Sequence, residues 1–219
     1  MHEHDERTAM VRTQLEQRGI SDQRVLDAMA QVPRHMFVPS EVREHAYEDR
    51  ALPIHEGQTI SQPFIVALMA QALDLKGDER LLEIGTGSGY AAAVLSKLVG
   101  EVYTMERWPS LAQSAERRLR ELGCKNVHVI AADGSAGLPE YAPFDAITVA
   151  AASPWVPRPL REQLGDGGRL VIPVGGREDQ YLLRLTRQDV QIKVEKLSGV
   201  RFVPLIGKHA WEESAGENN

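Results

Sequence analysis

The chemistry this sequence can support gathers around a run of glycines and three acidic residues. Glu83-Ile84-Gly85-Thr86-Gly87-Ser88-Gly89 follows the apolar residues Leu81 and Leu82 and precedes a stretch with helical spacing. Glycines at a strand-to-helix turn let the backbone bend sharply and approach a ligand closely. A dinucleotide fingerprint spaces them G-x-G-x-x-G and seats a pyrophosphate on the helix N-terminus. Here the pattern is E-x-G-x-G-x-G, with a carboxylate two residues before the first glycine. Such a carboxylate repels a diphosphate but suits the ammonium end of an amino-acid-like cofactor beside Gly85, Thr86, Gly87 and Gly89. Glu106 ends the next strand-like run, roughly where an acid meets ribose hydroxyls in folds of this kind. Asp133-Gly134 follows a third run. Asp133 could accept from an exocyclic adenine amine, and Gly134 would allow close packing on the ring. Each has a plainer alternative: a ligand-free glycine turn, a surface acid beside Arg107, an ordinary Asp-Gly turn. Found together at successive strand ends, they are a stronger signal than any one alone.

The elements that must position these residues follow from periodicity. The spacing predicts a helix from about Glu6 to Arg18, stopped by Gly19, and a second short helix capped by Ser21 or Asp22 with Val25, Leu26 and Met29 on one face. Residues 32–39 read as irregular. Residues 50–61, with Pro53 and Gly57 and no clean period, read as a loop. Pro63 suits an early helical position, with Ile65, Leu68, Met69 and Ala72 following at helical spacing. From Arg80 onward apolar runs alternate with helical stretches: strands at Leu81–Ile84, Val102–Met105, Val127–Ala131 and Phe144–Val149, and helices over Tyr90–Val99, Ser110–Leu122 and Pro159–Leu164. Gly165, Gly167 and Gly168 then read as a turn into Leu170-Val171-Ile172. This alternation implies an α/β fold, a Rossmann-like, mainly parallel, doubly wound sheet. After Gly176 only strand candidates remain (Tyr181–Leu185, Ile192–Leu197, Phe202–Leu205), which extend the sheet edge in partly antiparallel fashion. The expected division is an N-terminal helical and active-site-loop extension over 1–62, a Rossmann-like domain with C-terminal strands over 63–211, and a polar tail over 212–219.

Composition narrows the partners. The chain has 219 residues, 42% of them apolar, and a net charge of −6. An acidic balance argues against a nucleic-acid protein, whose binding rests on clustered Lys and Arg. Cys124 is the single cysteine, so no internal disulfide can form and a reducing, cytoplasmic setting is expected; as a residue it reads as a small buried apolar group. The first residues lack the basic start and apolar run of a signal peptide, and no stretch is long enough to cross a bilayer. His2 and His4, at a charged terminus, read as a solvated tail, and no metal site is expected.

The acid, the glycine loop and the two later acids resemble the S-adenosylmethionine site of Rossmann-like methyltransferases. A second constellation is more specific. Ala51-Leu52-Pro53-Ile54 followed by Gly57-Gln58-Thr59-Ile60-Ser61-Gln62-Pro63 resembles the active-site segment of protein-L-isoaspartate O-methyltransferases. The likeness runs along most of the chain, through Arg18-Gly19-Ile20, Val32-Pro33-Arg34 with Phe37-Val38-Pro39, Phe144–Ile147, Leu170–Gly175 and Val200–Leu205. It implies methylation of the free α-carboxylate of L-isoaspartyl residues in damaged peptides and proteins, from S-adenosylmethionine, by a monomeric enzyme. The ester then closes to a succinimide, whose hydrolysis returns some normal aspartate. The resemblance also implies that Ser61 is the catalytic position and that Thr59, Ile60 and Ser61 itself border the cofactor; read from residue types alone, Ser61 just before the Pro63 helix reads as a helix cap.

Some residues depart from the family pattern. His55 and Glu56 stand where a glycine often opens the segment, and Ala150 replaces a common threonine. Trp108, Trp155 and Arg201 suit either ligand contact or ordinary packing and solvation. The run Ala150–Trp155 lacks the Asn/Asp-Pro-Pro-aromatic motif of many amine methyltransferases. The competing readings are a nicotinamide-dependent oxidoreductase, disfavoured by the glycine spacing; a non-catalytic cofactor-binding module, disfavoured by the intact Thr59-Ile60-Ser61; and a methyltransferase for another carboxylate.

Overall fold

The structure is a computed structural model that describes residues 2–212. Beyond residue 212, the expected polar tail lies outside the described residues. Helix α1 (His2–Met10) passes into a wider turn over Val11–Leu15 and a tight one over Glu16–Arg18 before Gly19, at φ +98°, stops the run. This differs from the single helix expected over 6–18. Thr13 donates its hydroxyl to the Ala9 carbonyl at 2.7 Å, a back-bond of the kind that bends helices. Helix α2 (Gln23–Gln31) is capped by Asp22, which accepts from the Arg24 N–H at 2.9 Å, and buries Val25, Leu26, Ala28 and Met29.

Residues 50–61 are more ordered than a loop. Strands β1 (Leu52–Pro53) and β2 (Thr59–Ile60) form a small antiparallel hairpin in which Leu52 faces Ile60. Both of these residues are buried. Two-residue strands are too short to show a period of two in sequence. Helix α3 (Pro63–Ala72) follows directly.

The central sheet is built from β3 (Arg80–Ile84), β4 (Glu101–Glu106), β5 (Val127–Ala131), β6 (Phe144–Val149), β7 (Leu164–Gly175), β8 (Gln180–Gln188) and β9 (Gln191–Val200), in the order β5-β4-β3-β6-β7-β8-β9. Helices α4 (Tyr90–Leu95), α5 (Pro109–Glu121) and α6 (Arg158–Glu162) lie between strands. The pairs among β5, β4, β3, β6 and β7 are parallel, and β7/β8 and β8/β9 are antiparallel. Leu81, Leu82, Glu83 and Ile84 are all buried, as a central parallel strand covered on both faces requires. Strand order reverses between β3 and β6, so the ligand crevice falls at their carboxyl ends.

Two expectations about strands change. Gly165, Gly167 and Gly168 do not end an element but lie inside β7. A Cβ at Gly168 would sit 2.8 Å from the Gly165 carbonyl oxygen and 3.1 Å from that of Asp145. Glycine there serves close approach to β6, where the register shifts between Phe144 and Ala146. Residues 202–205 do not form a strand at the sheet edge. They fold back over the carboxyl ends of the strands, with Ala152 N–H donating to Val203 O and Leu205 N–H to Ala152 O, both at 2.8 Å. Pro204 has no N–H with which to extend a ladder.

Buried side chains form two clusters, one on each face of the sheet. One gathers Met10, Leu15 and Met29 with Leu81, Val94 and Val102, so the 1–62 segment shares its core with the strands. The other holds Leu82, Ile84, Ile147, Leu170 and Leu205. Asp22→Ala should lower unfolding free energy by about 1 kcal/mol through loss of the cap. Ser21→Ala should leave it unchanged, because the Ser21 side chain caps nothing. Urea unfolding of the two variants checks this.

Candidate cofactor and acceptor site

The glycine turn is fastened to the neighbouring strand by its backbone. Gly85 and Thr86 both donate to the Met105 carbonyl, at 2.8 and 3.1 Å. Gly85, Gly87 and Gly89 have φ of +96°, +51° and +89°, where side chains other than glycine are strained. Gly89 packs toward α5, since a Cβ there would lie 3.3 Å from Ala115 and 3.4 Å from Leu119. Gly85 and Gly87, by contrast, open onto a cavity. Its wall includes Thr59, Ile60 and Ser61 on one side, Gly85–Ser88 below, Glu106 and Trp108 beside, and Gly134, Ala150 and Val203–Ile206 beyond.

The three acids are placed differently. Glu106 lines the cavity and is 6% exposed. Its two carboxylate oxygens accept from Gly87 N–H at 2.8 Å and Trp108 N–H at 3.0 Å, which fixes it at the mouth of the glycine turn. Glu83 is fully buried and is not in the cavity wall. Thr104 donates its hydroxyl to Glu83 Oε2 at 2.6 Å, and Thr104 is hydrogen-bonded to Thr86 at 2.6 Å. Glu83 Oε1 has no partner. Burial pushes the Glu83 carboxyl up to about 8, against the opposing Thr104 hydrogen bond and with the nearby Glu106 charge adding to the rise. Asp133 also lies behind the wall. It accepts from Ser135 N–H at 2.8 Å and Lys208 N–H at 2.9 Å, so it joins the third strand end to the 205–209 turn. Gly134 reaches the wall, and a Cβ there would stand 2.5 Å from Ile84 Cγ2.

The hairpin roofs the glycine turn. Ile54 lies 3.6 Å from where a Gly87 Cβ would be, and Ser110 at the start of α5 donates to Glu56 at 2.5 Å. A second cavity opens on the far side, lined by Gln62, Ile65, Glu178–Tyr181 and Gly199–Phe202. Thr59, Ser61, Ala150 and Val203 belong to both walls. Gln180 builds this boundary: its amide accepts from Phe202 N–H at 2.7 Å and donates to Phe202 O at 3.2 Å. The Ser61 hydroxyl makes no hydrogen bond among the described residues. It is not the cap of α3.

Of the residues read from the sequence, Thr59, Ile60, Ser61, Gly85, Thr86, Gly87, Glu106 and Gly134 meet around one cavity, while Glu83, Gly89 and Asp133 support it from behind. Trp108 lines the first cavity and Arg201 the second. Trp155 lies at neither; it is 58% exposed and donates to the His209 carbonyl at 3.2 Å. Sequence reasoning missed Tyr90, Met105 and Ile206 in the wall. Met105 was legible as the last apolar residue before Glu106. Ile206 follows the fold-back, which had no local signal.

A glycine turn at a switch point, an acidic side chain fixed beside it at Glu106, and a second cavity meeting the first at Ser61 place this chain among the Rossmann-like S-adenosylmethionine-dependent methyltransferases. A family model described as protein-L-isoaspartate(D-aspartate) O-methyltransferase matches residues 5–210. A protein-L-isoaspartate O-methyltransferase of Roseiflexus castenholzii is 65% identical over 207 residues, covering 94% of each chain. A solved protein-L-isoaspartate O-methyltransferase superposes with a TM-score of 0.85 at 29% identity, over 94% of this chain and 67% of that one. Another, a candidate enzyme of the same kind from Plasmodium falciparum in complex with S-adenosyl-L-homocysteine, gives 0.78 at 26% identity, over 91% and 98%. The chain belongs to the protein-L-isoaspartate(D-aspartate) O-methyltransferase family. Among the described residues no helix is long and apolar enough to cross a membrane.

Glu83 makes the pH dependence of stability testable. A carboxyl whose proton affinity is raised by folding contributes its full stability below the unfolded pKa, and that contribution is lost as pH rises toward about 8. Each tenfold change in proton affinity is worth about 1.4 kcal/mol. Glu83→Gln should therefore lose less stability than the parent chain between pH 5 and pH 8. Denaturant midpoints across that range measure the difference, and parallel curves would remove Glu83 as its source.

Proposed function

We propose that this chain is a protein-repair methyltransferase that esterifies the free α-carboxylate of L-isoaspartyl residues in damaged peptides and proteins, acting as a monomer in the cytoplasm. The observation that carries the reading is the unspent Ser61 hydroxyl where the two cavities meet.

The residues present fit S-adenosylmethionine. The first cavity offers glycine backbone, a carboxylate at Glu106 for ribose hydroxyls and the open flank of Gly134 for an adenine. Behind the wall, Glu83 Oε1 is a buried carboxyl oxygen without a partner, and an ammonium group brought beside it would favour its ionised form. Asp133 supports the adenine end. When bound, the cofactor supplies an electrophilic methyl carbon on a positively charged sulfur.

An acceptor carboxylate is already ionised near neutral pH and needs no general base. The oxygen–methyl bond forms as the carbon–sulfur bond breaks, its electron pair passing to sulfur, and the two opposite charges cancel. The protein's task is therefore alignment and exclusion of water. Ser61 donates a hydrogen bond to the acceptor carboxylate and holds one oxygen in line. Thr59 and Ile60 close the cofactor side, and the second cavity receives the peptide on either side of the isoaspartyl linkage.

The test is methyl transfer from labelled S-adenosylmethionine to one peptide in isoaspartyl and normal aspartyl forms. Transfer to the isoaspartyl form alone, as a base-labile ester, is expected. Transfer to neither, with S-adenosylhomocysteine binding intact, would move the search to another carboxylate or to a non-catalytic role. Ser61→Ala should lower turnover about ten- to a hundredfold, the worth of one hydrogen bond to a charged group, with cofactor affinity unchanged. Calorimetry should also show weaker S-adenosylhomocysteine binding for Asp133→Ala; equal affinity would remove Asp133 from the cofactor site.

A further inference from the structure

Helix α3, which follows the hairpin directly, has no N-cap of its own. Gln62 occupies the cap position and its side chain makes no capping bond. Pro63 has no N–H, and Ile65 and Val66 donate to the Gln62 carbonyl at 3.0 and 3.2 Å. That leaves the Phe64 N–H as the orphan donor of the first turn. Asp49 takes it from fifteen residues away. Its Oδ1 accepts from Phe64 N–H at 3.2 Å, and its Oδ2 accepts from Gln62 Nε2 at 2.7 Å and from Arg18 Nη1. The Asp49 side chain is 19% exposed, and the Arg18 guanidinium also lies over the Phe64 ring, 3.9 Å from its centre. One carboxylate thus grips the chain on both sides of Pro63 and places a negative charge at a helix N-terminus, where it is favoured.

The residue type best suited to that cap is Ser61, three positions before Phe64, the ordinary spacing of a capping hydroxyl. It is not used. We propose that Asp49 is a positioning residue for methyl transfer: by capping α3 from outside, it fixes Thr59–Ser61 where the cavities meet and leaves the Ser61 hydroxyl for the acceptor carboxylate. This rests on the role given to Ser61 above. Arg18, part of a motif with no other assignment, acts through Asp49 by holding its carboxylate in place.

Asp49→Asn keeps the shape but turns an NH2 group toward two donors, Gln62 and Arg18, and frees Ser61 to take up the helix end. The decisive measurement is a double-mutant cycle of Asp49→Asn and Ser61→Ala, reading kcat on an isoaspartyl peptide at saturating cofactor together with the S-adenosylhomocysteine Kd. Asp49→Asn alone should lower kcat about tenfold, the worth of a hydrogen bond to a charged group. Its Kd should stay within about twofold, and in the Ser61→Ala background it should add less than about twofold, the behaviour of residues that act as a unit. The same fold-loss in both backgrounds would reduce Asp49 to a general structural cap and overturn the proposal, as would unchanged kcat in the single variant. Full turnover by Ser61→Ala alone would instead show that the role of Ser61 had failed, and Asp49 with it. If Asp49→Asn does not melt cooperatively, Asp49→Glu carries the same cycle, since it keeps the charge but shifts the carboxylate by one methylene.

Discussion

The carbonyl of Met105 accepts two hydrogen bonds, from Gly85 and from Thr86, and the site depends on that grip. A turn with three glycines at positive φ has little side-chain packing to hold its shape. Fixing it by its own N–H groups to the last apolar residue of β4 sets its height above the sheet. Glu106, the next residue along, then arrives within reach of the Gly87 N–H. The order of strands is what makes this possible: β4 lies beside β3 with Met105 opposite Ile84, so one strand's end becomes the anchor for the other's turn.

Charge is arranged to the same purpose. Two carboxyl groups near each other at the end of adjacent strands would be costly if both were ionised. Glu83, sealed from water and given one hydroxyl donor, carries the raised proton affinity, while Glu106 has two backbone N–H donors. The site thus has one acid sealed behind the glycine turn and one lining the cavity, in a crevice that faces a cationic ligand on one side and an anionic acceptor on the other.

The parallel strands were legible because central strands covered on both faces are continuous apolar runs ended by glycine or acid, as at Leu81–Ile84 and Phe144–Val149. The cap at Asp22 was legible because it acts locally. The hairpin at 52–60 was hidden by two-residue strands, and the length of β7 by glycines of which two, Gly165 and Gly168, serve close approach. The candidate site divides in the same way. Residues that touch the cavity by being next in sequence to a strand end, such as Glu106 and Gly134, could be read from spacing. Asp49 could not, since its partners lie thirteen to fifteen and thirty-one residues away. The one clue was negative: Gln62-Pro63 opens a helix without a capping residue of its own, which calls for an acceptor from elsewhere.

The hairpin that roofs the glycine turn runs straight into Ser61. Its two-residue ladder and the Glu56–Ser110 contact tie Ser61 to the same short piece of chain whose Ile54 covers Gly87, so the cover of the first cavity and the boundary with the second are set together. A substitution that disturbs the pairing of Leu52 with Ile60 therefore reaches both cavities at once.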